Sequence, residues 1–242
     1  MATKHAHISK VYSGKTLHII TTHANNICMK NLNGKQSLID SSYYGINGGF
    51  FDSAALNIAM SDGQVIGDLN NSWCGGCVIT WNGAYLKKYQ PIQNLAELDD
   101  DVLTQSGTWA QGGHAMRLGA RNWLELLYSD VGITDPDGTN LKNDIVESSR
   151  YRTGLVVDSV TKSTHLITCD TPCSFAGFRT AIQTFLDIVT TDNENTRYYG
   201  LFLDGGGSTQ MKYRDRSNTT FAIDKSGQNR KLFQIIALQD ST

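Results

Sequence analysis

The chain has 242 residues, 40% apolar and 18% charged, with a net charge of −2. That length can bury a full core, and that balance excludes a disordered chain and any general attraction to nucleic acid or an anionic membrane. No apolar run approaches the ~20 residues of a membrane-spanning helix, so no membrane insertion is expected.

The start, Met1 to His7, is polar and lacks the apolar core of a signal peptide. A cytoplasmic location follows, unless the sequence was trimmed from a secreted precursor. Twenty-three glycines against three prolines imply turns made by glycine, as in a strand-rich fold.

In chain order, Lys15–His23 is rich in β-branched residues and reads as a strand, and Asn31-Leu-Asn-Gly34 reads as a turn. Gly76–Trp81 and Ala84–Tyr89 flank Asn82-Gly83, which suits a two-residue type I′ hairpin. Asn94–Leu98 and Asn122–Leu127 read as short helices, and Thr108–Arg117 as an extended segment around a glycine pair. Thr153–Val157 and His165–Cys169 form a second strand pair joined at Lys162-Ser163. Phe178, Ala181, Ile182, Phe185, Leu186 and Val189 fall on one helix face, with Ser174 placed to cap it. Arg230–Leu238 closes the chain as a strand. The expectation is one domain, α+β and strand-dominated, with a mixed sheet and a few packed helices.

Two glycine-rich stretches follow apolar runs. They are Gly45-Ile-Asn-Gly-Gly-Phe-Phe-Asp52 and Leu203-Asp-Gly-Gly-Gly-Ser-Thr-Gln-Met211. Glycines let another group approach the main chain, and successive N–H groups at such a turn suit an anion. Asp204, held at a strand end, is well placed for a catalytic group. The plain alternative is a tight bend with Asp204 capping it. A Walker loop does not fit, because no Gly-Lys-Ser/Thr follows.

Taken together, the two stretches resemble the signatures of the phosphodiester glycosidase family, which includes N-acetylglucosamine-1-phosphodiester glycosidases. Arg152-Thr-Gly154 resembles the family's Arg-Thr-Ala/Gly element, and Gln111-Gly-Gly113 its central glycine pair. Asp170 sits where the family often has Val-Asp-Gly, with Thr171 in place of the glycine. The resemblance covers roughly residues 40–240 and leaves the first forty as a strand-rich extension.

The resemblance implies hydrolysis of the bond between a sugar's anomeric carbon and a phosphodiester oxygen. Phosphate is a stable leaving anion, so a strong general acid matters less than in ordinary glycoside hydrolysis. Arg152 is expected to fork onto phosphate, helped by Thr153 and the N–H groups of Gly205, Gly206, Gly207 and Ser208. Asp204 is expected at the anomeric carbon as nucleophile or base, with Asp170 and Glu147 as further acid/base candidates. Asn47 would touch sugar or phosphate, with Gly48 and Gly49 giving clearance. The partner is a phosphorylated sugar or glycan. No cofactor is implied; a divalent metal is allowed but not indicated. Two other readings stand beside this one: a non-catalytic binder of phosphorylated glycans, and a glycosidase acting on ordinary glycosides. Oligomeric state, the sugar and the group beyond the phosphate are left open.

Other motifs carry less. Trp73-Cys-Gly-Gly-Cys77 has redox spacing, but strand-like Val78–Trp81 follows instead of the helix that would acidify the first thiol. Paired with Cys169 and Cys173 it could hold zinc, though the second spacing is loose. Five cysteines, an odd number in a chain this large, read mainly as reduced thiols. Asp135–Asn140 reads as a surface turn rather than a calcium loop, and His114 is a minor site candidate.

Overall fold

The computed structural model describes residues 5–56, 58–66, 77–89, 92, 95–130, 146–192, 197–215, 217–225, 227 and 229–239. Cys74, Asn94 and the turn at 135–140 lie outside them. The strands are β1 (Ala6–Tyr12), β2 (Lys15–His23), β3 (Ile27–Gln36), β4 (Gly45–Asn47), β5 (Ala59–Ser61), β6 (Gln64–Val65), β7 (Cys77–Trp81) and β8 (Leu86–Tyr89). They continue with β9 (Trp109–Ala115), β10 (Arg150–Asp158), β11 (Ser163–Cys173), β12 (Tyr198–Phe202), β13 (Gln210–Arg214), β14 (Thr220–Asp224) and β15 (Leu232–Leu238). The helices are α1 (Asp100–Thr104), α2 (Trp123–Asp130) and α3 (Phe175–Leu186). None is long and apolar enough to cross a membrane.

Ten strands form a large sheet ordered β1-β2-β11-β10-β12-β9-β5-β6, with the β7–β8 hairpin attached through β9. Five form a smaller sheet, β14-β13-β4-β15-β3. The strand-dominated α+β class expected from the sequence is the one observed. The first forty residues supply strands to both sheets, since β2 pairs with β11 and β3 with β15.

Alternation along the strands builds two apolar layers. Leu155, Val157, Leu166 and Leu201 of the large sheet meet Met29, Ile46, Met211 and Ile236 of the small one. On the other face, Val156, Ile167 and Phe202 pack under Phe175, Phe178, Ala181 and Ile182 of α3. Ser174 caps α3 by accepting a hydrogen bond from the Gly177 N–H (3.2 Å). The helix stops at Asp187, which adopts a left-handed conformation (φ 53°), so Val189 lies beyond it and is exposed.

Three local expectations need correction. Asn31–Gly34 is not a turn between strands. It is an irregularity inside β3, where Asn33 and Gly34 take positive φ while β15 pairs on either side. Asn82-Gly83 is not a two-residue hairpin, because Trp81 pairs with Leu86. The Asn82 side chain accepts from the N–H groups of Ala84 and Tyr85 and so holds a four-residue loop. Of the four cysteines that could have held zinc, Cys74 lies outside the described residues and the other three do not gather. Cys77 packs between the sheets whereas Cys169 and Cys173 pack under α3, and no metal-ligand cluster occurs among the described residues.

Candidate active site

The two glycine-rich turns meet. Strand β4 ends at Asn47 and β12 at Phe202, and alternation carries Leu203 into the inter-sheet core and Asp204 toward the other face. Asn47 Nδ2 donates to the Asp204 carbonyl (2.8 Å), and the Asp204 N–H donates to the Gly48 carbonyl (3.3 Å). Asn47 Oδ1 accepts from the Thr153 hydroxyl (2.8 Å) and the Gln210 N–H (3.1 Å). The Asn47 carboxamide is therefore bonded to the chain on both sides. Its observed work is to brace four segments at the seam between the sheets.

The glycines answer to close approach. At Gly48 a β-carbon would strike the Gln234 carboxamide. At Gly205 it would lie 2.7 Å from the Tyr151 carbonyl oxygen. Gln234 is the middle of a relay joining the sheets. The Gly49 N–H donates to Gln234 Oε1 (2.8 Å), Gln234 Nε2 to Gln111 Oε1 (2.7 Å), and Gln111 Nε2 to the Gly112 carbonyl (2.8 Å).

Burial is the main influence on Asp204. It pushes the carboxyl up to about 6, although nearby Ser208, Arg230, the Gly205 N–H and Arg150 all pull it down. Asp204 Oδ1 accepts from the Gly205 N–H (2.9 Å). Ser208 and Thr209 N–H groups turn back onto the carbonyls of Gly205 and Gly206 (3.1 and 3.2 Å). Among the described residues, no backbone bond of this kind engages the Gly206 or Gly207 N–H. The buried Ser208 hydroxyl has no well-formed hydrogen bond among the described residues.

Arg152 lies on β10 beside this turn, buried. Its Nε donates to the Cys173 carbonyl (2.8 Å), an Nη donates to the Ser148 carbonyl, and the guanidinium stacks on Phe175 (4.5 Å). Burial pulls its pKa down to about 10. Much of the fork expected to grip phosphate is thus engaged with the chain. Two exposed arginines that sequence reasoning passed over carry charge to Asp204 instead: Arg150, whose Cδ lies 3.8 Å from where a Gly206 β-carbon would be, and Arg230, stacked over Phe51 (4.9 Å). Arg150 stands two residues before Arg152 on the same strand, so period-2 reading places both on one face. Nothing in the sequence pattern marks Arg230.

Asp170 is not beside Asp204 in any described contact. It pairs with Lys225 and lies 3.5 Å from His18 Nε2, on a segment that bulges from β11. Glu147 is exposed, near the start of β10. His114 is buried on β9, with its ring 4.8 Å from Phe50 and 6.4 Å from Phe175. Burial pushes it down to about 4, so it is neutral at pH 7, and neither ring nitrogen has a partner among the described residues.

An α+β chain of two packed sheets with a carboxyl at the seam is the class these observations define. No family model matches the sequence, and no curated protein matches it. The fold is similar to the zebrafish N-acetylglucosamine-1-phosphodiester α-N-acetylglucosaminidase catalytic domain, auto-inhibited by its pro-peptide. There the TM-score is 0.63 at 14% identity, over 98% of this chain and 81% of that one. It is also similar to a hypothetical protein from Synechocystis (TM-score 0.57, 13% identity, 97% of this chain and 61% of that one). A putative exported protein from Burkholderia pseudomallei gives 0.51 at 10% identity, over 93% of this chain and 74% of that one. At these identities the likeness is one of fold.

Proposed function

We propose that the chain is a hydrolase that splits the bond between a sugar's anomeric carbon and a phosphodiester oxygen. The observation that carries this reading is Asp204. It is a carboxyl with its pKa raised to about 6, fixed at a strand end, at the start of the Gly205–Gly207 turn and within the field of Arg150 and Arg230. The fold's likeness to a glycosidase of this specificity supports it.

In this reading the ionised Asp204 either takes a proton from the water that attacks the anomeric carbon, or attacks that carbon itself to form a glycosyl ester that water then hydrolyses. Partial burial keeps the carboxylate poorly solvated and hence reactive. The departing phosphate gains negative charge as the bond breaks, and the Gly206 and Gly207 N–H groups supply donors that need no reorganisation.

The test is sugar release from a panel of sugar-1-phosphodiesters and aryl glycosides. Release from phosphodiesters alone is expected. Binding without release would instead make the chain a phosphoglycan-binding module, and release from aryl glycosides would make it an ordinary glycosidase.

A further inference from the structure

Cys169 and Cys173 lie four residues apart on one strand, which in a regular β-strand would separate them by about 13 Å. In β11 their sulfurs are 3.8 Å apart. The cause is a bulge: Arg152 of β10 pairs with Cys169 and Arg150 with Cys173, so two steps on one strand span four on the other. Asp170, Thr171 and Pro172 are thrown out as a loop, and the two cysteines form its neck. Both are free and buried.

We propose that this neck is a redox modification site, a dithiol that closes to a Cys169–Cys173 disulfide. The sulfurs need to approach by about 1.8 Å to reach the bonded distance of about 2.0 Å. The environment also divides the two roles. The Cys169 thiol donates to the Thr171 carbonyl (3.1 Å), and the contact between the two sulfurs, with the charges of Arg152 and Lys15, favours the thiolate at Cys173. The same contact, together with burial, holds the proton on Cys169. Cys173 is therefore the attacking sulfur and Cys169 the resolving one.

The oxidant is a small-molecule disulfide. The Cys173 thiolate attacks one of its sulfurs, forming a mixed disulfide and expelling a thiolate. Cys169 then loses its proton, and its sulfur attacks Cys173 Sγ, releasing the second thiolate. The protein gives up two protons and two electrons, and the reagent leaves as two thiols.

Closure reaches the candidate active site through one atom. The Cys173 carbonyl holds Arg152 Nε, and Phe175, two residues on, stacks on the same guanidinium and on Phe202. Drawing in the neck moves the carbonyl that anchors Arg152. This inference does not depend on which reaction the site performs.

The experiment treats the folded protein with oxidised glutathione, alkylates the remaining thiols and measures the tryptic peptide 163–179, which holds both cysteines. The expected product is that peptide two hydrogens lighter and unalkylated, restored by dithiothreitol. Cys77→Ser should behave as the parent, and Cys169→Ser should stop at glutathione on Cys173. The Arg152 Nε–H resonance should shift on oxidation, and Arg152→Lys identifies it. In the parent, a doubly alkylated peptide, or glutathione left on Cys173 without closure, would overturn the proposal whether or not either variant folds.

Discussion

Asn47 and Asp204, 157 residues apart, are tied by two hydrogen bonds, one from the Asn47 carboxamide to the Asp204 carbonyl and one from the Asp204 N–H to the Gly48 carbonyl. The position of the carboxyl is therefore set by the seam between two sheets. A loop alone would fix it far less well.

Asn47→Ala should lower stability by about 3 kcal/mol, because it strands the buried Gln210 N–H and the Asp204 carbonyl and removes the acceptor for Thr153. Urea unfolding measures this. Unchanged stability with lost sugar release would move Asn47 from brace to substrate ligand.

Asp204→Asn should separate stability from activity. A carboxyl whose folded pKa is raised above its unfolded value favours the folded state when protonated. Stability of the parent should therefore fall as pH rises from about 4 through about 6, by up to about 3 kcal/mol. The asparagine variant lacks that penalty and should melt higher than the parent at pH 7. Sugar release should drop ~10³-fold or more, about 4 kcal/mol of transition-state stabilisation. A variant that melts lower yet still turns over would return Asp204 to the role of a turn cap.

Arg152→Lys should be costly to the fold itself. Lysine cannot hold the Cys173 and Ser148 carbonyls together while stacking on Phe175. A loss of about 2–4 kcal/mol is expected in denaturant titration. Normal stability with a raised KM for phosphodiesters would show that the fork serves substrate after all.

Asp158 supplies an acid-sensitive element. Burial alone would raise its pKa, but the Arg197 guanidinium and the N–H groups of Val160 and Thr161 more than offset this and hold it down to about 2. A depressed carboxylate stabilises above its unfolded pKa, and the gain is lost as pH falls from about 4 to about 2. Asp158→Asn should therefore cost about 2 kcal/mol at pH 7, with the gap to the parent closing across that acid window. A gap that stays constant with pH would assign the loss to packing.

Much of the fold was legible because it is written in local pattern. The apolar, β-branched runs of β2, β10 and β15, the helix face of α3 and its serine cap all follow from spacing within a dozen residues. The two glycine turns were legible for the same reason. What was not legible depends on partners distant in sequence. The Asn33-Gly34 kink looks like any turn until β15 is found alongside it. The bulge that brings Cys169 to Cys173 arises only in register with β10. The two carbonyls that Arg152 holds are likewise invisible locally, since neither is placed beside it by spacing in the sequence.

The relay Gly49–Gln234–Gln111–Gly112 has a direction. It begins at a main-chain donor and ends at a main-chain acceptor, so each of the two carboxamides between them has one admissible orientation. One end, Gly49, lies in the turn after β4 of the small sheet and the other, Gly112, in β9 of the large sheet, and β4 and β15 pair with no strand of the large sheet. Sliding β9 or β15 by one position would set donor against donor or leave an amide empty, at about 1–3 kcal/mol per orphaned group. Two glutamines thus act as a vernier: they fix how one sheet is aligned on the other, a quantity that the backbone ladder within either sheet leaves free.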